Sequence, residues 1–235
     1  MAVRERASEA PTMAATGGPE PRAGAVVPCL LALDLTGRAC VIVGGGAVAE
    51  RKARTLLAAG AAVRVIAPAL MPGLAELARA GQIRLQPRVY QAGDLAGAWL
   101  VVAATDRREV NAAVAAAARA GGALVLVADA PDEGDVTMPA VARRGRLTVA
   151  VATAGGSPAL ASILRDRLLA TISDGLLALL DRVVQVREAE LAAGRRHTLA
   201  RWRAALEPET LALAERGQID AAEARLRAAL DDEAG

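Results

Sequence analysis

The sequence predicts an α/β fold, a doubly wound parallel sheet, followed by a β-hairpin and a helical C-terminal segment. Three observations carry this expectation. Apolar runs of strand length alternate with helical stretches from Leu30 to Pro131, and such alternation argues parallel βα units. A glycine-rich turn, Gly44-Gly45-Gly46, sits at the first strand–helix junction. After Pro131 the rhythm changes, first to two β-like segments and then to helix up to the end of the sequence.

Ala39–Val43 (ACVIV) reads as a buried strand and Glu50–Ala59 as the helix after it, with Gly60 where a C-terminal capping glycine belongs. A second strand, Val63–Ala67, ends at Pro68, and a helix over Pro72–Ala80 precedes a third strand at Ile83–Tyr90. Trp99–Thr105 (WLVVAAT) is a continuous apolar run, as expected of a central parallel strand covered on both faces. Arg108–Ala120 is an alanine-rich helix and Ala123–Asp129 (ALVLVAD) a fifth strand. Asp135–Val141 and Leu147–Thr153, joined by Ala142–Arg146, read as a hairpin. Ser157-Pro158 places a capping hydroxyl before a proline at the first helical position. Two or three helices follow, broken near Ala193-Gly194, Pro208 and Gly217. The expected organisation is a disordered tail over 1–27, a nucleotide-binding domain over 28–134, a hairpin element over 135–157 and a helical domain over 158–235.

Composition narrows the function classes. The chain has 235 residues, of which 54% are apolar and 23% charged, enough to bury a core. A net charge of +2 gives no argument for a nucleic-acid partner. An arginine or aspartate interrupts each apolar run before the roughly 20 residues that a membrane span requires. The first 26 residues mix Ala, Gly, Pro and both charges without periodicity, which reads as disorder and lacks the pattern of a signal peptide. Cys29 and Cys40 form no CxxC and read as thiols of a reducing compartment, so a cytoplasmic protein is expected.

Gly44-Gly45-Gly46-Ala47-Val48-Ala49 is a G-x-G-x-x-A turn between strand and helix, the Rossmann-like arrangement for a dinucleotide. Gly44 permits the tight turn, Gly46 lets backbone approach a pyrophosphate, and Ala49 keeps the helix close to the sheet. The helix N-terminus at Ala47 and Val48 offers N–H groups to phosphates. The second strand ends Val65-Ile66-Ala67-Pro68-Ala69, without the acidic residue that usually holds the adenosine ribose, so NAD and NADP are not distinguished by charge. Pro68 and Ala69 are the positions beside which an adenosine would lie. Thr105 and Asp106, at the end of the next strand, are expected on the nicotinamide side of the crevice, with a helix-capping role as the alternative for Asp106. His197, the only histidine, reads as a surface residue of the helical tail.

Leu33-Asp34-Leu35-Thr36-Gly37, VIVGGGAVAERKA (Val41–Ala53), AATDRREVN (Ala103–Asn111), VADAP (Val127–Pro131), Met138-Pro139 and VAVATAGGSPALA (Val149–Ala161) follow in order. Together they resemble the precorrin-2 dehydrogenase / sirohydrochlorin ferrochelatase family, the N-terminal part of siroheme synthase. The resemblance covers about residues 28 to 180. It implies NAD-dependent oxidation of precorrin-2 to sirohydrochlorin, with insertion of Fe2+, as a substrate, for a second step. It also implies a homodimer in which the hairpin is an intertwined dimerisation element. The family's fusions carry a methyltransferase domain downstream; this chain ends at Gly235, so that activity is expected to be absent.

The family's essential carboxylate falls on Asp129. Its place at the end of an apolar strand independently puts it where ligands of open α/β sheets bind. A carboxylate within reach of the macrocycle is suited to take the proton that leaves with oxidation; a turn-forming Asp before Ala130-Pro131 is the plainer alternative. The implied substrate is a tetrapyrrole ringed with carboxylates. Arg143, Arg144 and Arg146 cluster at the expected hairpin tip, with a solvated turn as the plainer alternative; the Gly155-Gly156-Ser157 stretch at a helix N-terminus, with the Thr153 hydroxyl before it, is the better candidate anion site. No resident metal is expected, given one histidine and no paired cysteine site. Three other readings stay open: a dehydrogenase that leaves iron insertion to a separate chelatase, a nucleotide- or tetrapyrrole-binding regulatory module, and an NAD(P)-binding domain of transport or redox sensing.

Overall fold

The computed structural model describes residues 29–231; the expected tail over 1–27 lies outside the described residues, as do 232–235. Among the described residues, β1 (Ala39–Val43), β2 (Ala62–Ile66), β3 (Arg84–Gln86), β4 (Leu100–Ala103) and β5 (Leu124–Val127) form one sheet in the order β3-β2-β1-β4-β5. All four pairings are parallel. The chain runs outward from β1 to β3, then returns to add β4 and β5 on the other side. Strand order therefore reverses between β1 and β4, the point where open α/β sheets hold their ligands.

Side chains alternate across this sheet. Ile42, Val65, Val102 and Leu126 face one buried layer, together with Ala49, Ala53 and Leu56 of α1 (Ala47–Ala58) and Leu74 of α2 (Pro72–Arg79). Val41, Val43, Val101, Val125 and Val127 face the other, against Val114, Ala115 and Ala118 of α3 (Arg108–Ala120). Both faces are covered, which is why the strands read as unbroken apolar runs.

Several elements differ from the sequence reading, each for a local reason. β3 spans three residues and not Ile83–Tyr90. Pro87 has no N–H to continue the ladder. Beyond it Arg88 grips Asp94 with two hydrogen bonds of 2.8 and 2.6 Å, and Gln91 N–H donates to the same carboxylate, so the chain turns away. The segment 135–139 is not a hairpin strand. The backbone N–H groups of Asp135 and Val136 donate to Val125 O, and the Asp135 carboxylate accepts from Val125 N–H at 3.2 Å. This segment covers the outer edge of β5, and Arg119 of α3 holds Asp135 there at 3.0 Å.

The hairpin is β6 (Ala140–Arg144) with β7 (Leu147–Val151), antiparallel, turning at Gly145-Arg146 with Gly145 at φ +55°. The residues expected to connect the strands, Ala142–Arg144, are thus the end of β6. Helix α4 (Pro158–Ala170) packs across both strands, and Ser157 Oγ caps it by accepting from Leu160 N–H at 3.2 Å.

Four more helices follow: α5 (Asp174–Ala192), α6 (Leu199–Leu206), α7 (Glu209–Glu215) and α8 (Ile219–Asp231). The expected breaks near 193–194, 208 and 217 are present. A further break at Thr171-Ile172-Ser173 lacks glycine or proline and is marked only by Ser173, whose Oγ caps α5 through Leu176 N–H. The helical core gathers Val186, Ala205, Leu226 and Leu230. At the α5–α6 turn the buried Glu190 carboxylate accepts two 2.6 Å hydrogen bonds from Arg195 and meets His197 Nε2 at 2.8 Å. The Arg195 guanidinium foremost, then His197, hold its pKa down to about 2. His197 is consequently not a surface residue: its side chain is 12% exposed, with its ring edge-on to Trp202.

Candidate functional site

The C-terminal ends of β1, β2, β4 and β5 carry the residues that the sequence singles out, and the three glycines after β1 do different work. Gly44 has φ +130°, and a Cβ there would stand 2.2 Å from the Ala104 carbonyl oxygen. Its N–H donates to Ile66 O. A Cβ on Gly45 would stand 1.9 Å from the Ala69 carbonyl oxygen, and Gly45 O accepts from Met71 N–H at 2.8 Å. Gly44 thus locks the turn onto the loop after β4, and Gly45 locks it onto the loop after β2. Gly46 is exposed, and a Cβ there would meet nothing within 4 Å.

Gly46 is also the N-cap of α1, which has no side-chain cap, and Ala47 and Val48 are exposed while Ala49 is fully buried. The surroundings fit a dinucleotide pyrophosphate. There is open space over a glycine, a helix start with no side-chain cap, and a small residue seating the helix on the sheet. Pro68 and Ala69 are exposed beside this turn, and no carboxylate stands at the end of β2. Gly45 was not singled out in the sequence; the run of three glycines was its signal.

The loop after β4 and the end of β5 meet through Asn111, on the first turns of α3. Asn111 is 1% exposed. Its Oδ1 accepts from Thr105 N–H at 3.0 Å and from the Thr105 hydroxyl at 2.7 Å. Its Nδ2 donates to Thr105 O at 3.0 Å and to Asp129 Oδ1 at 2.9 Å. A backbone donor on one side and a backbone acceptor on the other permit a single orientation of the amide. Asp129 is therefore offered an N–H, not an oxygen. Its other oxygen, Oδ2, lies 3.8 Å from Arg108 Nη1, whose guanidinium also bonds Glu133. The Asp129 side chain is 38% exposed and so remains open to a ligand.

Asp106 is exposed and caps nothing; the turn before α3 is tied by Thr105 Oγ1, which accepts from Arg107 N–H at 3.2 Å. Asn111 lies inside the AATDRREVN block, but a polar residue on an alanine-rich helix carries no sign of which loop it will reach.

The remaining candidates stand on the hairpin and α4. Thr153 Oγ1 accepts from Ser157 N–H at 3.1 Å, and Ala154 between them has φ +47°, an uncommon value for a residue with a side chain. Gly155 and Gly156 lie exposed in the same loop. Arg143 Nε donates to Thr148 Oγ1 at 3.3 Å within the ladder. Arg144 turns toward the α4–α5 junction, donating to Ile172 O at 2.6 Å and pairing with Asp174. Gly44, Gly46, Ala47 and Val48 thus follow β1, Thr105 follows β4 and Asp129 follows β5, all at the C-terminal edge of the sheet. Thr153–Ser157 and the two arginines stand on the separate hairpin–α4 unit.

The chain is similar to several known proteins. Residues 31–140 match the family model described as putative NAD(P)-binding. A siroheme synthase of Methylococcus capsulatus is 44% identical over 204 residues, 85% of this chain and 42% of that protein. One of Chromobacterium violaceum is 49% identical over 143 residues, 61% of this chain and 30% of that protein. The chain therefore spans about two fifths of these relatives' length or less. A solved structure of SirC, a precorrin-2 dehydrogenase, superposes with a TM-score of 0.64 at 27% identity, covering 86% of this chain and 97% of that one.

Proposed function

Because this chain belongs to the precorrin-2 dehydrogenase / siroheme synthase family, we propose that it oxidises precorrin-2 to sirohydrochlorin with NAD+ on the route to siroheme. The observation that carries the reading is the position of Asp129. A half-open carboxylate stands at the end of β5, hydrogen-bonded through Asn111 to the loop after β4, against whose Ala104 carbonyl the dinucleotide-type turn packs.

Oxidation removes a hydride and a proton from the macrocycle. NAD+, when bound, supplies the hydride acceptor. The residues suited to hold it are Gly44, Gly46, Ala47 and Val48 at the pyrophosphate, Pro68 and Ala69 at the adenosine, and Thr105 and Asp106 toward the nicotinamide. Asp129 takes the proton as general base. The substrate carboxylates fall to the Thr153–Ser157 loop, through Thr153, Gly155, Gly156 and Ser157, and to Arg143 and Arg144. The same Asp129 suits iron insertion, where two pyrrole protons must leave as Fe2+ enters as substrate.

A homodimer and a cytoplasmic setting complete the proposal. The dimer is supported by Val141 on β6 and by Leu160, Ile163, Leu164 and Leu168 on α4, all between 38% and 52% exposed. That much apolar surface on one hairpin–helix unit suits a contact between copies. Among the described residues, no helix is long and apolar enough to cross a membrane.

The test is anaerobic incubation of the protein with precorrin-2 and NAD+, followed by absorbance, with Fe2+ added afterwards. Sirohydrochlorin formed only with both NAD+ and protein supports the dehydrogenase. A further Fe2+-dependent change above the no-protein rate supports iron insertion, and its absence assigns that step to another protein. Binding of precorrin-2 or NAD+ without conversion would replace the enzyme with a binding module.

A further inference from the structure

We infer that Asn111 is a positioning residue that donates a hydrogen bond to the Asp129 carboxylate and fixes it relative to the nucleotide-side loop. The inference rests on the reading of Asp129 as the proton acceptor. All four hydrogen-bonding positions of the Asn111 amide are used: three go to Thr105, through its N–H, hydroxyl and carbonyl, and the fourth goes to Asp129. The amide is 1% exposed, so water does not compete for these bonds. With three bonds fixing its plane, the fourth N–H has one direction left, and Asp129 Oδ1 lies along it at 2.9 Å.

Two consequences follow. An N–H donor aimed at a carboxylate favours its charged form, the form a base requires. And Thr105 and Asp129, which end neighbouring strands, are joined by one rigid side chain. The hydride-accepting and proton-accepting sides of the crevice are thereby set at a fixed spacing, as a two-site removal demands. The other charged groups bearing on Asp129 are Arg108 of the same helix, 3.8 Å away, and Glu133, which engages Arg108 from the segment after β5.

The test uses Asn111→Asp and Asn111→Ser in the full chain. Asn111→Asp keeps an acceptor for the Thr105 N–H and hydroxyl but turns an oxygen toward Asp129 in place of the N–H. Asn111→Ser can bond Thr105 but is too short to reach Asp129, and it is the fallback if the first variant does not fold. Two readouts are taken: titration of Asp129 by carbon-13 NMR with labelled aspartate, assigned by loss of its signal in Asp129→Asn, and the pH profile of precorrin-2 oxidation. In Asn111→Asp, Asp129 titrates at a higher pH than in wild type, because a like charge now faces it. The acid limb of the profile moves with it, and kcat falls about tenfold or more while KM changes less. Asn111→Ser shows the same direction with a smaller displacement. An unchanged Asp129 titration in both variants overturns the inference, even if activity falls, since Asn111 would then only hold the loop. If wild-type protein does not convert precorrin-2, the proposed function fails by itself, and the titration still decides whether Asn111 governs Asp129.

Discussion

Replacing Gly44 and Gly46 with alanine, one at a time, should separate what the glycine-rich turn does for the fold from what it does for the nucleotide. At Gly44 the added methyl meets a wall. The backbone has φ +130°, and the new Cβ would lie 2.2 Å from a carbonyl oxygen that belongs to the loop after the central strand β4. The strained backbone costs ~1–3 kcal/mol and the overpacking a further ~1–3 kcal/mol. Taking about 3 kcal/mol in total, and about 2–4 °C per kcal/mol for a chain of this size, Gly44→Ala should unfold roughly 10 °C below wild type. At Gly46 the backbone is ordinary, with φ −83°, and the methyl meets nothing within 4 Å. Alanine is a poorer helix N-cap than glycine by about 0.5–1 kcal/mol, so Gly46→Ala should unfold within about 4 °C of wild type. Yet the methyl occupies the space proposed for the pyrophosphate. A clash of ~1–3 kcal/mol there weakens NAD+ binding about tenfold or more. Thermal unfolding by circular dichroism and NAD+ titration by calorimetry read the two effects. Wild-type affinity in Gly46→Ala would refute the placement of the pyrophosphate. A wild-type unfolding temperature in Gly44→Ala would refute the close approach to β4 as the reason for glycine there.

Other outcomes follow from the same geometry. Asp129→Asn keeps NAD+ affinity and lowers kcat on precorrin-2 by about 10²–10⁴-fold, measured by steady-state kinetics. The Glu190 pKa is held below its ordinary value, to about 2, by Arg195 and His197, so its contribution to stability is fully present above about pH 4.5 and is lost as pH falls through about 2. Thermal unfolding should therefore show Glu190→Gln below wild type at neutral pH, with the gap closing between about pH 4.5 and 2. Ile163→Asp places a charge in the exposed apolar face of α4. Sedimentation should then give the 23.9 kDa chain for this variant where wild type gives twice that mass. Burial pushes the Cys40 thiol up to about 11, so a thiol reagent at neutral pH labels exposed Cys29 and leaves Cys40 unmodified until the protein unfolds.

Much of the sheet was legible because both of its faces are covered. Strands such as Ala39–Val43 and the core of Trp99–Thr105 are apolar without interruption, and α3 begins and ends where its pattern does. What the residues did not reveal depends on contacts distant in sequence. Asp135 and Val136 alternate like a strand, but Val125 takes their backbone bonds and Arg119 takes the Asp135 carboxylate, so they cover an edge and the hairpin starts later. His197 reads as a surface residue because nothing in its neighbourhood shows that Glu190, seven residues earlier, is buried against it. The candidate site divides in the same way. The turn at Gly44–Ala49 is local and was readable, including the role of Ala49. The Asn111 clamp joins α3 to two strand ends, and such a junction appears only when the chain is folded.

The stoichiometry of one reaction tests the proposed dehydrogenase most directly. Precorrin-2 and NAD+ are mixed anaerobically with the protein, NADH is followed by its absorbance, and the tetrapyrrole product is weighed by mass spectrometry. One NADH per macrocycle, with the product two hydrogens lighter and both signals lost in Asp129→Asn, is the predicted result. Product formed without NADH, or at the same rate in Asp129→Asn, would contradict it.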